Sequence, residues 1–222
     1  MNEARNLPAT LANILLARNV EVIVVDGGSK DDTVQIAESF GVKVLSTAAN
    51  RAVQMNLGAK AATGDILLFL HADTRLPARF DIMIAKALVA DSKSNCMATP
   101  VAGAFKLRID ARLLSLRLIE FGINWRSRWL QMPYGDQAIF LKPHTFYALG
   151  GFPDIPIMED FEFMLHLRQL GRIVIIPVPV LTSARRWQKL GVFKTTLINQ
   201  VAIIAYFLRI PPQLIAQWYR QH

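Results

Sequence analysis

Only one cysteine, Cys96, occurs in the 222 residues. An internal disulfide framework and a multi-cysteine zinc site are thereby excluded, and a lone thiol suits a reducing compartment. Cys96 itself is expected to be a small, partly buried apolar residue. Although 52% of the residues are hydrophobic and the mean hydropathy is +0.28, no uninterrupted apolar run reaches the roughly 18 residues that cross a bilayer. The N-terminus lacks a basic stretch followed by an apolar segment and a small-residue cleavage site, so a cytoplasmic location is the expectation. Internal repeats and low-complexity segments are missing too. Acidic charge is in the minority, with 17 Asp and Glu against 25 Lys and Arg, a net +8. Such a surplus suits nucleic acid, anionic lipid or a phosphate-bearing substrate. Nucleic acid is disfavoured, because the basic residues are not interleaved with aromatics in a recognised motif.

What is present is an alternation of helix and strand patterns in a chain of single-domain size. Leu7 to Arg18 has helical spacing, Glu21 to Val25 is a β-branched strand, and Thr33 to Phe40 is helical behind Asp31 and Asp32, which complement the positive end of that helix. Val42 to Leu45 is a strand, Ala52 to Ala62 a helix, and Ile66 to Leu70 a continuous apolar strand of the kind buried in a parallel sheet. Helices are expected over Pro77 to Ala90, Leu113 to Trp129, Phe161 to Leu170 and Val192 to Leu208, and strands over Gly103 to Ile109, Ile139 to Leu141 and Ile173 to Val180. Pro211-Pro212 should stop the last helix. The expected fold is α/β, a single doubly wound and mostly parallel sheet flanked by helices, with ligands gathered at the carboxyl ends of the strands. Residues 1–190 would form the catalytic unit and residues 191–222 an amphipathic helical tail.

Three acidic sites lie at element ends. In Val25-Asp26-Gly27-Gly28-Ser29 a carboxylate leaves a strand into a glycine turn, where it serves either an ordinary turn or a ribose or base. In Phe69-Leu70-His71-Ala72-Asp73-Thr74 the period of two puts His71 and Asp73 on one side, and Asp73 with a diphosphate could hold a hard divalent ion. In Met158-Glu159-Asp160 two carboxylates open a helix whose dipole keeps them ionised, either as caps or as a base toward a hydroxyl.

The order of these sites resembles glycosyltransferase family 2 on the GT-A fold. The matching pieces are Asn2-Glu3-Ala4-Arg5-Asn6-Leu7, Val24 to Thr33, Gly64 to Asp73, Gly150-Gly151-Phe152 and Glu159-Asp160. Arg51 to Asn56, His71 to Thr74 and Tyr134-Gly135-Asp136-Gln137 look like a small bacterial subgroup of that family. The resemblance implies that Asp26 contacts the nucleoside with Glu3 nearby, that Asp73 ligates Mg²⁺ or Mn²⁺, and that Asp160 is the catalytic base. It places Arg51 and His71 toward the donor, and Glu159, Asp136, Arg186 and Trp187 toward the diphosphate or acceptor. His71 stands where relatives carry the first acid of Asp-x-Asp. Relatives also begin with a strand ahead of Asn2-Glu3; its lack would leave a neighbouring strand edge unpaired and open part of the base pocket.

The implied reaction is inverting transfer of a sugar from a nucleotide-sugar donor to an acceptor hydroxyl. A nucleotidyltransferase, or a nucleotide-sugar-binding module without catalysis, is the alternative. His144, His166 and His222 carry no assigned role. Val201 to Leu208 is flanked by Lys189, Lys194 and Arg209 and followed by Trp218 and Tyr219, the parts of an interfacial anchor. Peripheral contact at the inner face of a membrane, with a lipid-linked acceptor, is one expectation for this tail. Packing on the catalytic unit or on a second subunit is the other.

Overall fold

A computed structural model describes residues 1–89 and 99–221. Cys96 and His222 lie outside the described residues. In chain order the elements are α1 (Leu7–Ile14), β1 (Ile23–Asp26), α2 (Thr33–Ser39), β2 (Lys43–Ser46), α3 (Arg51–Ala61), β3 (Leu67–Phe69), β4 (Thr74–Arg75), α4 (Phe80–Leu88), β5 (Ala102–Asp110), α5 (Leu114–Trp129), β6 (Ile139–Leu141), α6 (Pro143–Ala148), α7 (Glu159–Leu170), β7 (Ile173–Ser183), α8 (Arg185–Leu190), α9 (Val192–Phe207) and α10 (Pro212–Gln221).

The α/β class is as expected, but the strands are divided between two sheets. β1 and β2 form a parallel pair running from Ile23 opposite Lys43 to Asp26 opposite Ser46. The other five strands form a sheet in the order β3-β6-β5-β7-β4. Within it only β5 and β7 are parallel; β3 with β6, β5 with β6 and β4 with β7 are antiparallel. The expectation of one mostly parallel sheet is corrected here. Alternating helix and strand patterns show where elements lie, but not whether a connection returns the next strand up or down the sheet. After α5 the chain turns through a 3-10 segment, Gly135–Gln137, and enters β6 against the direction of β5. The β5–β7 register shifts between Phe105 and Lys106, whose partners are Ile176 and Pro179. Pro177 and Pro179 lack the N–H that a regular ladder would use there.

Two apolar clusters sandwich the larger sheet. One gathers Phe146, Phe152, Phe161 and Phe163 under α3, α6 and α7, with Phe152 and Phe163 rings 4.4 Å apart. The other packs α4 and α5 on Phe105, Leu107, Ile109 and Phe140. A smaller cluster joins Leu7 and Leu11 of α1 to Ala37 of α2 and the side chains of β1 and β2. A cleft of about 900 Å³ separates β1 from β3, and residues of α1, α3 and α4 contribute to its walls.

The C-terminal helices pack on the rest of the chain through one face. Phe161 of α7 meets Tyr206 and Phe207 of α9 at 5.7 and 5.5 Å, and Thr195, Ile198 and Ala202 are buried. α9 ends ahead of Pro211 and Pro212 as expected, and a separate helix follows them. α9 stops at Phe207, Arg209 turns the backbone at φ +59, and Pro212 then occupies the first turn of α10, where its missing N–H has no partner to lose. Among the described residues no helix is long and apolar enough to cross a membrane.

Of the glycines, Gly103 on β5 leaves the least space for a side chain. A Cβ there would lie 2.3 Å from the ring of Phe140 and 2.8 Å from Val174, and Phe140 is fully buried with no room to retreat. Gly103→Ala is therefore expected to lower unfolding stability by about 1–3 kcal/mol, read from the urea midpoint.

Candidate active site

The carboxyl ends of β1 and β3 set the site. Asp26 ends β1, and its carboxylate turns back on its own loop: Oδ2 accepts from the amides of Gly28 and Ser29 at 2.8 Å each, and Oδ1 from the Ser29 hydroxyl at 2.5 Å. Burial works to raise this carboxyl, but the hydrogen bonds from Ser29 and Gly28 outweigh it and hold the pKa below the ordinary range. Gly28 adopts φ +91, which the turn requires and a side chain would strain. The N-terminal loop is stitched to this turn. The Asn2 amide donates to Ser29 Oγ at 2.8 Å, Lys30 donates its amide to Asn2 Oδ1 at 2.9 Å, and the Glu3 amide donates to Thr33 Oγ1 at 2.8 Å.

Glu3 is thereby aimed at the end of β3. Its Oε1 pairs with Arg185 at 2.5 Å, and the same guanidinium nitrogen lies 3.9 Å from Asp73 Oδ2. Burial and the nearby Glu3 push the Asp73 carboxyl up, against the pull of Arg185. A carboxylate whose proton affinity is raised by burial and a neighbouring acid favours a cation beside it. Among the described residues no group of three or more His, Cys, Asp or Glu side chains could hold a metal by itself. Asp73 and Glu3 offer carboxylate oxygens, the donor type that a hard divalent ion takes together with substrate phosphates.

His71 and Asp160 meet across the cleft at Gly135. The Gly135 amide donates to Asp160 Oδ2 at 2.7 Å and the Phe161 amide to Oδ1 at 2.8 Å. A Cβ on Gly135 would stand 3.1 Å from both Asp160 Oδ2 and His71 Nε2. Burial and the charge of Arg51 bring the His71 pKa down to about 4, against the pull of Asp160, so the imidazole is neutral at physiological pH. Glu159, only 2% exposed, points away from the cleft and pairs with Arg51 at 3.2 Å. Asn50, the residue before Arg51, caps α3 by accepting from the Val53 amide at 3.3 Å.

Of the ten residues expected at the site, Glu3, Arg51, His71, Asp73 and Asp160 line one cleft. Asp26 supports its rim. Asp136 lies behind it, one residue past Gly135, with Oδ1 buried and without a hydrogen-bond partner. Arg186 is turned toward the tail, hydrogen-bonded to the Tyr219 hydroxyl with the guanidinium 4.1 Å over that ring. Trp187 packs into the cluster under α5, its indole N–H buried and unpaired. Arg185, not Arg186, is the arginine that reaches the acids, and Gly135 is the residue that brings Asp160 to His71. Their sequence neighbourhoods were visible, yet nothing in Arg185-Arg186-Trp187 indicates which side chain faces the cleft until the end of β7 fixes the rotation. Tyr219, beside Arg51 and Asp160 electrostatically, comes from more than 50 residues away and left no local signal.

Helices packed on a sheet, with acidic residues gathered at the ends of its strands in one cleft, are the architecture of the GT-A glycosyltransferases. The model of glycosyl transferase family 2 matches residues 1–151, and the chain belongs to that family. It is 29% identical over 175 residues to the uncharacterized glycosyltransferase Rv1514c of Mycobacterium tuberculosis, a match covering 74% of this chain and 64% of the relative's length. Among solved structures it resembles glucosyl-3-phosphoglycerate synthase from Mycobacterium tuberculosis in complex with phosphoglyceric acid, with a TM-score of 0.63 at 16% identity over 95% of this chain and 78% of that one. The mannosyltransferase PcManGT from Pyrobaculum calidifontis, solved with GDP-Man and Mn²⁺, gives a TM-score of 0.62 at 22% identity over 81% and 53%. At these identities the likeness to the solved structures is one of fold.

Burial pushes the Asp136 carboxyl up to about 6, with Arg126 opposing and Asp160 reinforcing the rise. The folded chain therefore keeps a proton that the unfolded chain releases from about pH 4 upward, and the stability this contributes is lost as pH rises through about 6. Asp136→Asn removes the ionisation, so its gain in melting temperature over the parent should be larger at pH 8 than at pH 4. Scanning calorimetry at the two pH values reads this difference, and equal gains would contradict it.

Proposed function

We propose that this chain is a glycosyltransferase that moves a sugar from a nucleotide-sugar donor to an acceptor hydroxyl with inversion, assisted by Mg²⁺ or Mn²⁺. The observation that carries the proposal is one cleft holding two carboxylates in opposite settings. Asp160 is fixed by two amides at the start of α7 and presented beside a neutral His71. Asp73 lies with Glu3 and Arg185, its carboxyl raised by burial and by Glu3.

In this reaction Asp160 takes the proton of the acceptor hydroxyl as its oxygen bonds to the anomeric carbon, and the bond from that carbon to the diphosphate breaks, its electron pair leaving with the diphosphate. Asp73, with Glu3 beside it, would hold the divalent cation, which when bound supplies charge neutralisation for the diphosphate. Asp26 and Glu3 shape the nucleoside end of the cleft. Arg51, anchored by Glu159, offers its guanidinium to the donor, and Arg185 adds a second cation beside the acids. Asp136 and Arg186 support the acceptor side from behind, and Trp187 does so through packing. The acceptor is proposed to be lipid-linked, with α9 touching a membrane surface through the face it does not bury.

Asp160→Asn is expected to leave donor binding within about twofold and to lower transfer by at least about 100-fold, because an amide cannot take the proton. A panel of nucleotide sugars assayed with Mn²⁺ provides the readout. Turnover near the parent's would remove Asp160 from this role, and donor binding without turnover in the parent would favour a binding module. Asp73→Ala should abolish the Mn²⁺ dependence of donor binding by calorimetry, whereas unchanged dependence would put the cation elsewhere.

A further inference from the structure

The outward side of α5 has no part in the cleft, yet it is built almost entirely of large apolar side chains. Leu114, Leu118, Phe121, Trp125 and Trp129 recur at helical spacing and are 84, 76, 71, 50 and 68% exposed. Their direction is fixed by what the opposite side does. Leu116 is buried, Ile119 and Ile123 pack beneath it, and the Asn124 side chain exchanges two hydrogen bonds with the Leu107 backbone at 2.8 and 2.9 Å. Glu120, the helix's one acid, is also turned inward: it accepts from the Ile109 amide at 2.5 Å and pairs with Arg117 at 2.9 Å. The exposed apolar stripe therefore carries no negative charge, and the exposed Arg112 and Arg128 stand at its two ends.

We propose that this stripe is a docking face for an anionic membrane surface. Charge complementarity favours lipid over a second copy of the chain. In a two-fold pairing of this face the terminal arginines would meet like charge, whereas lipid phosphates neutralise them. The charge distribution along the chain points the same way. No Asp or Glu follows Glu162, while eight Lys and Arg do, as many as the whole net charge of +8. Those residues include Lys194 and Arg209 at the ends of α9, and Val192 of α9 packs in the same cluster as Ile119 and Ile123. Trp125 and Trp129 are the amphipathic rings that settle at the headgroup level. At about 1.5 Å per residue the 16 residues of α5 extend about 24 Å, short of a hydrocarbon core of about 30 Å, so the helix lies along the surface.

The inference is independent of the sugar-transfer proposal and adds a second element to the one proposed for α9. Its test is sedimentation of the full chain with phosphatidylcholine vesicles, with and without phosphatidylserine, at low and raised salt. The parent should sediment with the anionic vesicles at low salt. The triple variant Leu118→Ser, Phe121→Ser, Trp125→Ser should lose about tenfold or more of that binding, with circular dichroism unchanged because each replaced side chain is exposed. Arg112→Gln with Arg128→Gln should weaken binding and reduce its salt dependence. Anionic-vesicle binding by the triple variant equal to the parent's would overturn the proposal, as would a parent dimer in sedimentation velocity that the triple variant converts to monomer. A parallel variant, Leu197→Ser with Ile204→Ser, reads α9 separately, and donor turnover of the triple variant, measured without vesicles, should equal the parent's.

Discussion

The hydrogen bond from the Gly135 amide to Asp160 joins two parts of the chain that would otherwise meet only through side chains. On one side is the 3-10 turn ahead of β6, itself locked by Gln137, which accepts from the Ser127 hydroxyl at 2.7 Å and donates to the Phe105 carbonyl at 2.8 Å. On the other is the first turn of α7. The bond holds the carboxylate at a fixed height over the cleft, and the missing side chain at Gly135 lets His71 and Asp160 approach. Burial then keeps that imidazole uncharged, so Asp160 faces a polar neighbour that does not compete for its charge. The position of Arg51 follows as well, because Glu159 is the residue before Asp160 and the start of α7 orients both carboxylates, one inward and one toward the cleft.

Much of this was legible in the residues. Apolar periodicity located the strands and helices of the first half, with α1 ending at Ile14 ahead of the expected Arg18. The acids at element ends also told their own story: a carboxylate placed where a strand or helix ends faces its own loop, or else a cation of the chain or a ligand. Asp26 does the former and Asp73 and Asp160 face the cleft. Pairing direction was not legible, because the strand pattern of Ile139 to Leu141 is the same whether it runs with or against β5. Nor was the choice between Arg185 and Arg186, which depends on how the end of β7 rotates the next residue. The short elements β4, α6 and α8 escaped because two to six residues carry too little periodicity to register.

The tail illustrates how a sequence pattern can support two expectations, of which the structure displays packing on the protein. Helical spacing from Val192 onward was compatible with packing on the protein or on lipid, and α9 buries Thr195, Ile198 and Ala202 while leaving Phe193 and Leu197 outside. Tyr206, hydrogen-bonded to Glu162, and Tyr219, hydrogen-bonded to Arg186, link these helices to α7 and α8. The tail thereby reaches the neighbourhood of Arg51, which a linear division of the chain into a catalytic unit and an appendage does not convey.

The division into two sheets has a mechanical consequence. Among the described residues no ladder of backbone hydrogen bonds crosses the cleft between β1 and β3, and its walls are tied by side chains of two helices. From α3, Gln54 donates to the Val25 carbonyl and Asn56 exchanges hydrogen bonds with Phe152, and from α1, Thr10 donates to the Ala72 carbonyl while Asn13 accepts from the Leu76 amide. The span of the cleft is thus set by a few side-chain hydrogen bonds from α1 and α3 rather than by strand pairing, and each of those side chains carries part of the cleft's shape.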